Sequence, residues 1–183
     1  MKPGSASVLG GIGSLARILG QLDEAARLYS RVIEIEPLSG HYNLGLILHY
    51  AGRQEEARAA CAKSLELDPE RAAARVLLVR VYLAQAHQQE ALREAEKVNH
   101  PAWRPFGLAL AYHALGRKEE SELKLAELIQ FPGGASFLVA EVYAYRGESD
   151  RAFVWLERAY KERDTGLADM KADPLLASLD FHG

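Results

Sequence analysis

Residues Gly10 to Gly20 read GGIGSLARILG. Within them Gly11, Gly13 and Ala16 satisfy the spacing G-x-G-x-x-G/A of a dinucleotide-binding turn, and Glu34 stands about 20 residues further on, where such a site places its ribose contact. Two folds compete for these letters. A nucleotide loop needs a strand before it and a helix after it inside a βαβ unit. Here only a handful of residues precede Gly10, no later stretch alternates as a strand should, and β-branched residues are sparse. The competing reading is that Gly13 and Gly20 belong to a pattern that recurs along the chain.

It recurs five times. LGQLDEAARLY, AGRQEEARAAC, QAHQQEALREA, LGRKEESELKL and RGESDRAFVWL align without gaps. Each carries a turn residue (Gly20, Gly52, Ala86, Gly116, Gly147) followed five positions later by a small one (Ala25, Ala57, Ala91, Ser121, Ala152). The turn residues lie 32, 34, 30 and 31 positions apart, which is the period of a helix-pair repeat. Eight positions before each turn come Ile12, Leu44, Leu78, Leu108 and Val139. Seven before come Gly13, Gly45, Val79, Ala109 and Ala140, and four before come Ala16, Leu48, Tyr82, Tyr112 and Tyr143. Such spacings put the three slots on one stripe of an α-helix. Nine after the turn, Tyr29, Cys61, Ala95, Leu125 and Leu156 fall on the same face as the small residue. Each unit therefore reads as two amphipathic helices meeting at a tight turn, with small residues where the backbones approach. Gly13 shares its slot with Gly45, which removes the nucleotide reading. Gly10 and Gly11 have no role in the repeat; each costs helix stability of about 0.5–1 kcal/mol relative to alanine, so the first helix is expected to fray. Asp68-Pro69-Glu70 reads as an N-cap, a proline in the first helical position and an acid near the positive helix end. Pro37, Pro101 and Pro132 fall in the other links.

The pattern resembles the tetratricopeptide repeat, over residues 6 to about 163. The second unit matches best, with Leu44-Gly45, Gly52, Ala57 and Leu67-Asp68-Pro69. The slot usually held by tryptophan carries Leu9, His41, Arg75, Pro105 and Ser136 instead, and the link NHPAWRP is short. The resemblance implies an all-α, right-handed superhelix of five helix pairs in a single array, with units at about 6–37, 38–69, 70–101, 102–132 and 133–164 and a cap over 165–183. The end of the chain, AFVWLERAYKERDTGLADMKADPLLASL, resembles the closing repeat of bacterial proteins in which such arrays follow a signalling or DNA-binding module. By that likeness Asp173-Pro174 opens a capping helix, and Leu175, Leu176 and Leu179 pack on the last unit, as terminal repeats require.

The chain is long enough, at 183 residues, to bury a core. Hydrophobic content of 49% and charged content of 26% belong to a globular protein. The net charge of −3 leaves no electrostatic footprint for nucleic acid. No run approaches the roughly 18 apolar residues of a membrane span, and Gly10, Gly11 and Gly13 interrupt the only stretch that could serve as a leader. The single cysteine, Cys61, excludes an internal disulfide and suits a reducing compartment, so the cytoplasm is the expected setting.

No catalytic or metal constellation emerges. Cys61 occupies an inward slot and reads as a small buried hydrophobe. The six histidines show no ligand spacing, and the pairs Glu55-Glu56 and Glu119-Glu120 open second helices, where they favour the positive dipole end. Neither an enzyme nor a cofactor is expected. What remains is the concave surface that the family forms from its first helices, which receives a peptide or a helix. Carried over slot by slot, its contacts here are Tyr42, Leu46, His49, Arg80, Leu83, Trp103, Phe106, His113, Phe137 and Glu141. The lining is aromatic and apolar, and its bases are Arg17 and Arg80 alone. Family members that clamp a chaperone C-terminus carry several lysines and asparagines there, and those preceding a sugar transferase carry an asparagine nine before each turn. This chain has only Asn43 in that slot, so neither role fits. The expectation is a non-catalytic scaffold that takes an apolar or amphipathic segment of a partner protein, with Arg80 and Glu141 fixing its direction. The alternative is a regulatory or self-associating segment of a larger signalling enzyme or transcription regulator, and a homo-oligomer stays open.

Overall fold

The computed structural model describes residues 5–179. Among them are ten α-helices and no strand: α1 (Ala6–Ile18), α2 (Leu22–Ile33), α3 (Pro37–Tyr50), α4 (Gln54–Leu67), α5 (Ala72–Ala84), α6 (Gln88–Glu96), α7 (Trp103–Ala114), α8 (Lys118–Ile129), α9 (Ser136–Tyr145) and α10 (Ser149–Glu162). They form five consecutive hairpins, each packed on the next. None is long and apolar enough to cross a membrane.

The turn slot explains the hairpins. Gly20, Gly52, Ala86, Gly116 and Gly147 all have φ between 57° and 76°. Each ends a first helix in the same way. The N–H of the following residue reaches back to the carbonyl four before the turn, as in Gln21 to Ala16 (2.8 Å) and His87 to Tyr82 (2.9 Å). This is the Schellman arrangement, which satisfies carbonyls the helix end would leave unpaired. The small residue five further on then meets the first helix: Ala25, Ala57, Ala91, Ser121 and Ala152 are all wholly buried. Ser121 differs only in its hydroxyl, which donates to the Ala109 carbonyl at 2.8 Å. At Gly45 a side chain would begin 3.2 Å from Cys61 Sγ, and at Gly13 it would begin 3.0 Å from the Tyr29 ring. Those two helix pairs close on their glycines.

Three sequence expectations change. Asp68 does not N-cap the next helix: it closes α4, α5 starts only at Ala72, and the Asp68 carboxylate accepts from Glu70 N–H at 3.1 Å inside a turn. That local bond competes with helix initiation. Helix α1 runs unbroken through Gly10 and Gly11; the Tyr29 hydroxyl donates to the Gly10 carbonyl at 3.2 Å and lies 2.9 Å from the Ser14 hydroxyl, tying α1 to α2. Ile12 is 48% exposed although its slot-mates Leu78, Leu108 and Val139 are buried. That slot faces the preceding unit, and α1 has none before it among the described residues.

The cap departs most. After α10 the chain turns at Arg163 (φ 57°), forms a 3₁₀ turn over Thr165–Asp169 and a second over Pro174–Leu176, and runs along the concave side of the array. The Asp173 carboxylate accepts from Leu175 N–H at 2.9 Å with Pro174 in the first position, so the opening is as expected but only one turn follows. Leu176 and Leu179 are buried with Phe106, Phe137 and Val142 in the main core.

Candidate protein-binding groove

The first helices α3, α5, α7 and α9 present Tyr42, Leu46, Arg80, Trp103, Phe106, Phe137 and Glu141 around one small cavity of about 180 Å³. Seven of the ten residues expected from the sequence thus converge. His49, Leu83 and His113 lie outside it. His49 is 2% exposed and accounts for itself: its Nδ1 is 2.8 Å from Gln54 Oε1, and burial followed by the neighbouring Arg80 charge pushes its pKa down to about 4. Leu83 packs partly buried against the main core, and His113 stands edge-on to the Tyr145 ring at 5.8 Å.

The cavity is roofed by the chain's own C-terminal segment, through Gly166, Asp169 and Asp173. Phe106 is wholly buried, Phe137 is 4% exposed and Glu141 is 1% exposed. Their expected role as an open contact surface therefore changes: Phe106 is core, and Phe137 lies under Gly166, where any Cβ would overlap its ring. Trp103 and Tyr42 keep part of their surface. Trp103 stacks on His100 at 4.4 Å, and the Arg71 guanidinium lies 5.0 Å from the centre of the Tyr42 ring.

Charge organises the closure. Arg80 pairs with Asp173, 93 positions away, and its Nη2 is also 3.2 Å from Glu141 Oε1. All three side chains are buried. One cation cannot balance two carboxylates out of water, so the two acids diverge. Burial holds the Glu141 carboxyl well above the ordinary carboxylate range. Burial is also the largest single effect on Asp173 and opposes its charge, but the Arg80 charge together with hydrogen bonds from Glu141, Arg80 and the Leu175 N–H keeps Asp173 below that range. The cluster is in effect one ion pair beside a protonated acid. Nearer the start of the array, Arg17 of α1 pairs with Asp169. The two bases of the groove are thus met by two acids of the tail. Sequence reasoning noted the bases and missed the acids, although Asp169 and Asp173 supplied the matching charges. Direction did not show in the letters: nothing local says that the chain reverses into the groove after Arg163.

Among the described residues no group of three or more His, Cys, Asp or Glu converges as metal ligands do. Cys61 is wholly buried, and burial pushes its thiol up to about 12, so no thiolate is available to attack a substrate.

An all-helical repeat array with a concave face lined by first helices defines the class as a binding solenoid. Residues 6–37 and residues 38–71 each match the tetratricopeptide repeat family, so the first two hairpins are tetratricopeptide repeats and the later ones continue the same helix-pair pattern. The fold is that of TTC0263, a thermophilic member from Thermus thermophilus, at 18% identity and a TM-score of 0.71, covering 94% of this chain and 99% of that one. MamA matches at 22% identity and a TM-score of 0.57, covering 85% and 96%. YrrB, described as having an unusual peptide-binding site, matches at 16% identity and a TM-score of 0.53, covering 93% of each chain. No curated protein sequence matches the chain. Tetratricopeptide-repeat proteins bind proteins or peptides and are generally non-catalytic scaffolds.

Proposed function

We propose that this protein is a non-catalytic scaffold that binds a segment of a partner protein in its concave groove. The observation that carries the reading is that polypeptide already occupies that groove: a stretch with only short 3₁₀ turns is held there by carboxylate–arginine pairs and by leucines set against aromatic walls. The surface suits that kind of ligand. Aromatic side chains supply large contact area at low entropic cost, and Tyr42 and Trp103 remain partly accessible at its edge. The small net charge of −3 favours a protein ligand over nucleic acid.

The test is affinity capture with the immobilised full chain beside a Tyr42→Ala/Trp103→Ala variant. Proteins retained by the first and lost from the second, at equal helical circular dichroism, support the groove. Identical retention by both places binding on another face and overturns it.

A further inference from the structure

The segment that fills the groove is held differently from the array around it. Residues 164–179 contain 3₁₀ turns of five and three residues, where the array has helices of nine to fourteen. Its buried apolar anchors are Leu176 and Leu179, with Leu167, Met170 and Leu175 partly buried on the same core, and the Asp169–Arg17 and Asp173–Arg80 pairs and a 3.4 Å bond from the Ser178 hydroxyl to the Ala144 carbonyl hold it as well. Ion pairs taken out of water return little net stability, because desolvation offsets their attraction. Space also flanks the segment. A cleft of about 830 Å³ separates it from the second unit, between Tyr50 and Gln54 on one side and Met170 and Leu179 on the other. Segments with few buried apolar contacts open well below the cost of global unfolding.

Its root is fixed to its own unit. Asp164 accepts from Gly166 N–H at 2.9 Å and from Phe137 N–H, at the start of α9, at 3.1 Å. Opening hinged beyond Asp164 would keep this anchor, whereas carrying the whole segment over to a second copy would break it. Once it has swung out, Arg80 loses Asp173 and keeps only Glu141, 3.2 Å away. A ligand that takes the segment's place restores the second carboxylate at Arg80 and supplies aliphatic side chains for the walls.

Building on the groove as the protein-binding site, we propose that residues 164–179 are a displaceable self-ligand. They close the groove, which opens to a partner-protein segment of the same chemistry: a carboxylate for Arg80 followed three and six positions later by leucines, as in Asp173, Leu176 and Leu179. An exposed segment rich in lysine or arginine is excluded by Arg17 and Arg80.

The experiment uses the full chain and, as probe, a fluorescein-labelled peptide of residues 163–179. The closed form binds the probe weakly, because apparent affinity scales with the open fraction; releasing the segment with Asp169→Asn/Asp173→Asn raises it by at least about tenfold. A probe carrying the same two substitutions loses that binding. Trypsin cuts after Lys171 faster in the variant. Gly166→Val, which sets a side chain against Phe137, gives the same two results by a different route. In the unsubstituted protein, amide exchange at Leu175 and Leu176 runs ahead of that at Leu110 in α7. Exchange at the global unfolding rate overturns the proposal, as does a released, folded variant that ignores the probe or one that pairs into a dimer instead. A released variant that refuses the probe yet retains the captured proteins overturns the self-ligand alone; capture that ignores the Tyr42→Ala/Trp103→Ala change overturns the groove itself.

Discussion

Ala86 stands where the other four units carry glycine, and its substitution by glycine should stabilise the protein. Its φ of 57° lies in the left-handed region, as do Gly20, Gly52, Gly116 and Gly147 at 74° to 76°. An L-residue pays roughly 1–2 kcal/mol there, from Cβ crowding against the carbonyl. Replacing it with glycine returns that strain but frees the unfolded chain, at a cost of about 0.4–1 kcal/mol. Ala86 is exposed, so its methyl contributes no packing to lose. The net expectation is about 0.5–1 kcal/mol of added stability, or a rise in Tm of roughly 1–4 °C for a chain of this size. The mirror experiment is Gly116→Ala. A Cβ at Gly116 meets nothing within 4 Å, so any loss there is conformational and not steric. Urea melts of both variants measure the pair. Loss of stability in Ala86→Gly, or none in Gly116→Ala, would refute the view that one backbone geometry ends all five first helices.

Three further outcomes follow from burial. Phe106→Ala should cost about 3–5 kcal/mol in denaturant unfolding, the range for emptying an aromatic core site; a loss under about 1 kcal/mol would return the ring to the binding surface. His49 titrates near 6.5 when unfolded but is pushed down to about 4 in the fold. The unfolded chain therefore takes up the proton first, and stability is full above about pH 6.5 and falls on the way to pH 4, by about 3 kcal/mol in all. His49→Gln should flatten that part of the profile; parallel profiles would contradict it. Cys61 should resist a thiol reagent in the native protein and react once urea unfolds it, and prompt native labelling would show that the α3–α4 contact opens.

The repeat was legible because its marks are steric. A left-handed turn accepts few residues, and a helix crossing accepts only small ones, so Gly20, Ala25 and their counterparts announce the hairpin from sequence alone. The inward faces followed from the same spacing, which is why seven expected groove residues converge. What the letters concealed was occupancy. Phe106 and Phe137 sit in slots aimed at the concave side, and that aim does not say whether solvent, a partner or the chain itself lies opposite. Asp68 failed for a related reason: a short acidic side chain satisfies a turn as readily as a helix end, and the choice belongs to the link that follows.

The closed groove also changes how the array holds together. In an open solenoid each unit touches only its neighbours, and stability is close to a sum of local terms. Here one segment reaches Arg17 in the first unit, Arg80 in the third and Glu141 and Phe137 in the fifth. Contacts so distant in sequence form late in folding, because the loops between them must be closed first. They also demand that every intervening unit be present and correctly wound, since a missing hairpin would carry Arg17 and Arg80 out of register with Asp169 and Asp173. Docking of the tail thus registers the completeness of the superhelix, linking its two ends for as long as the segment is seated.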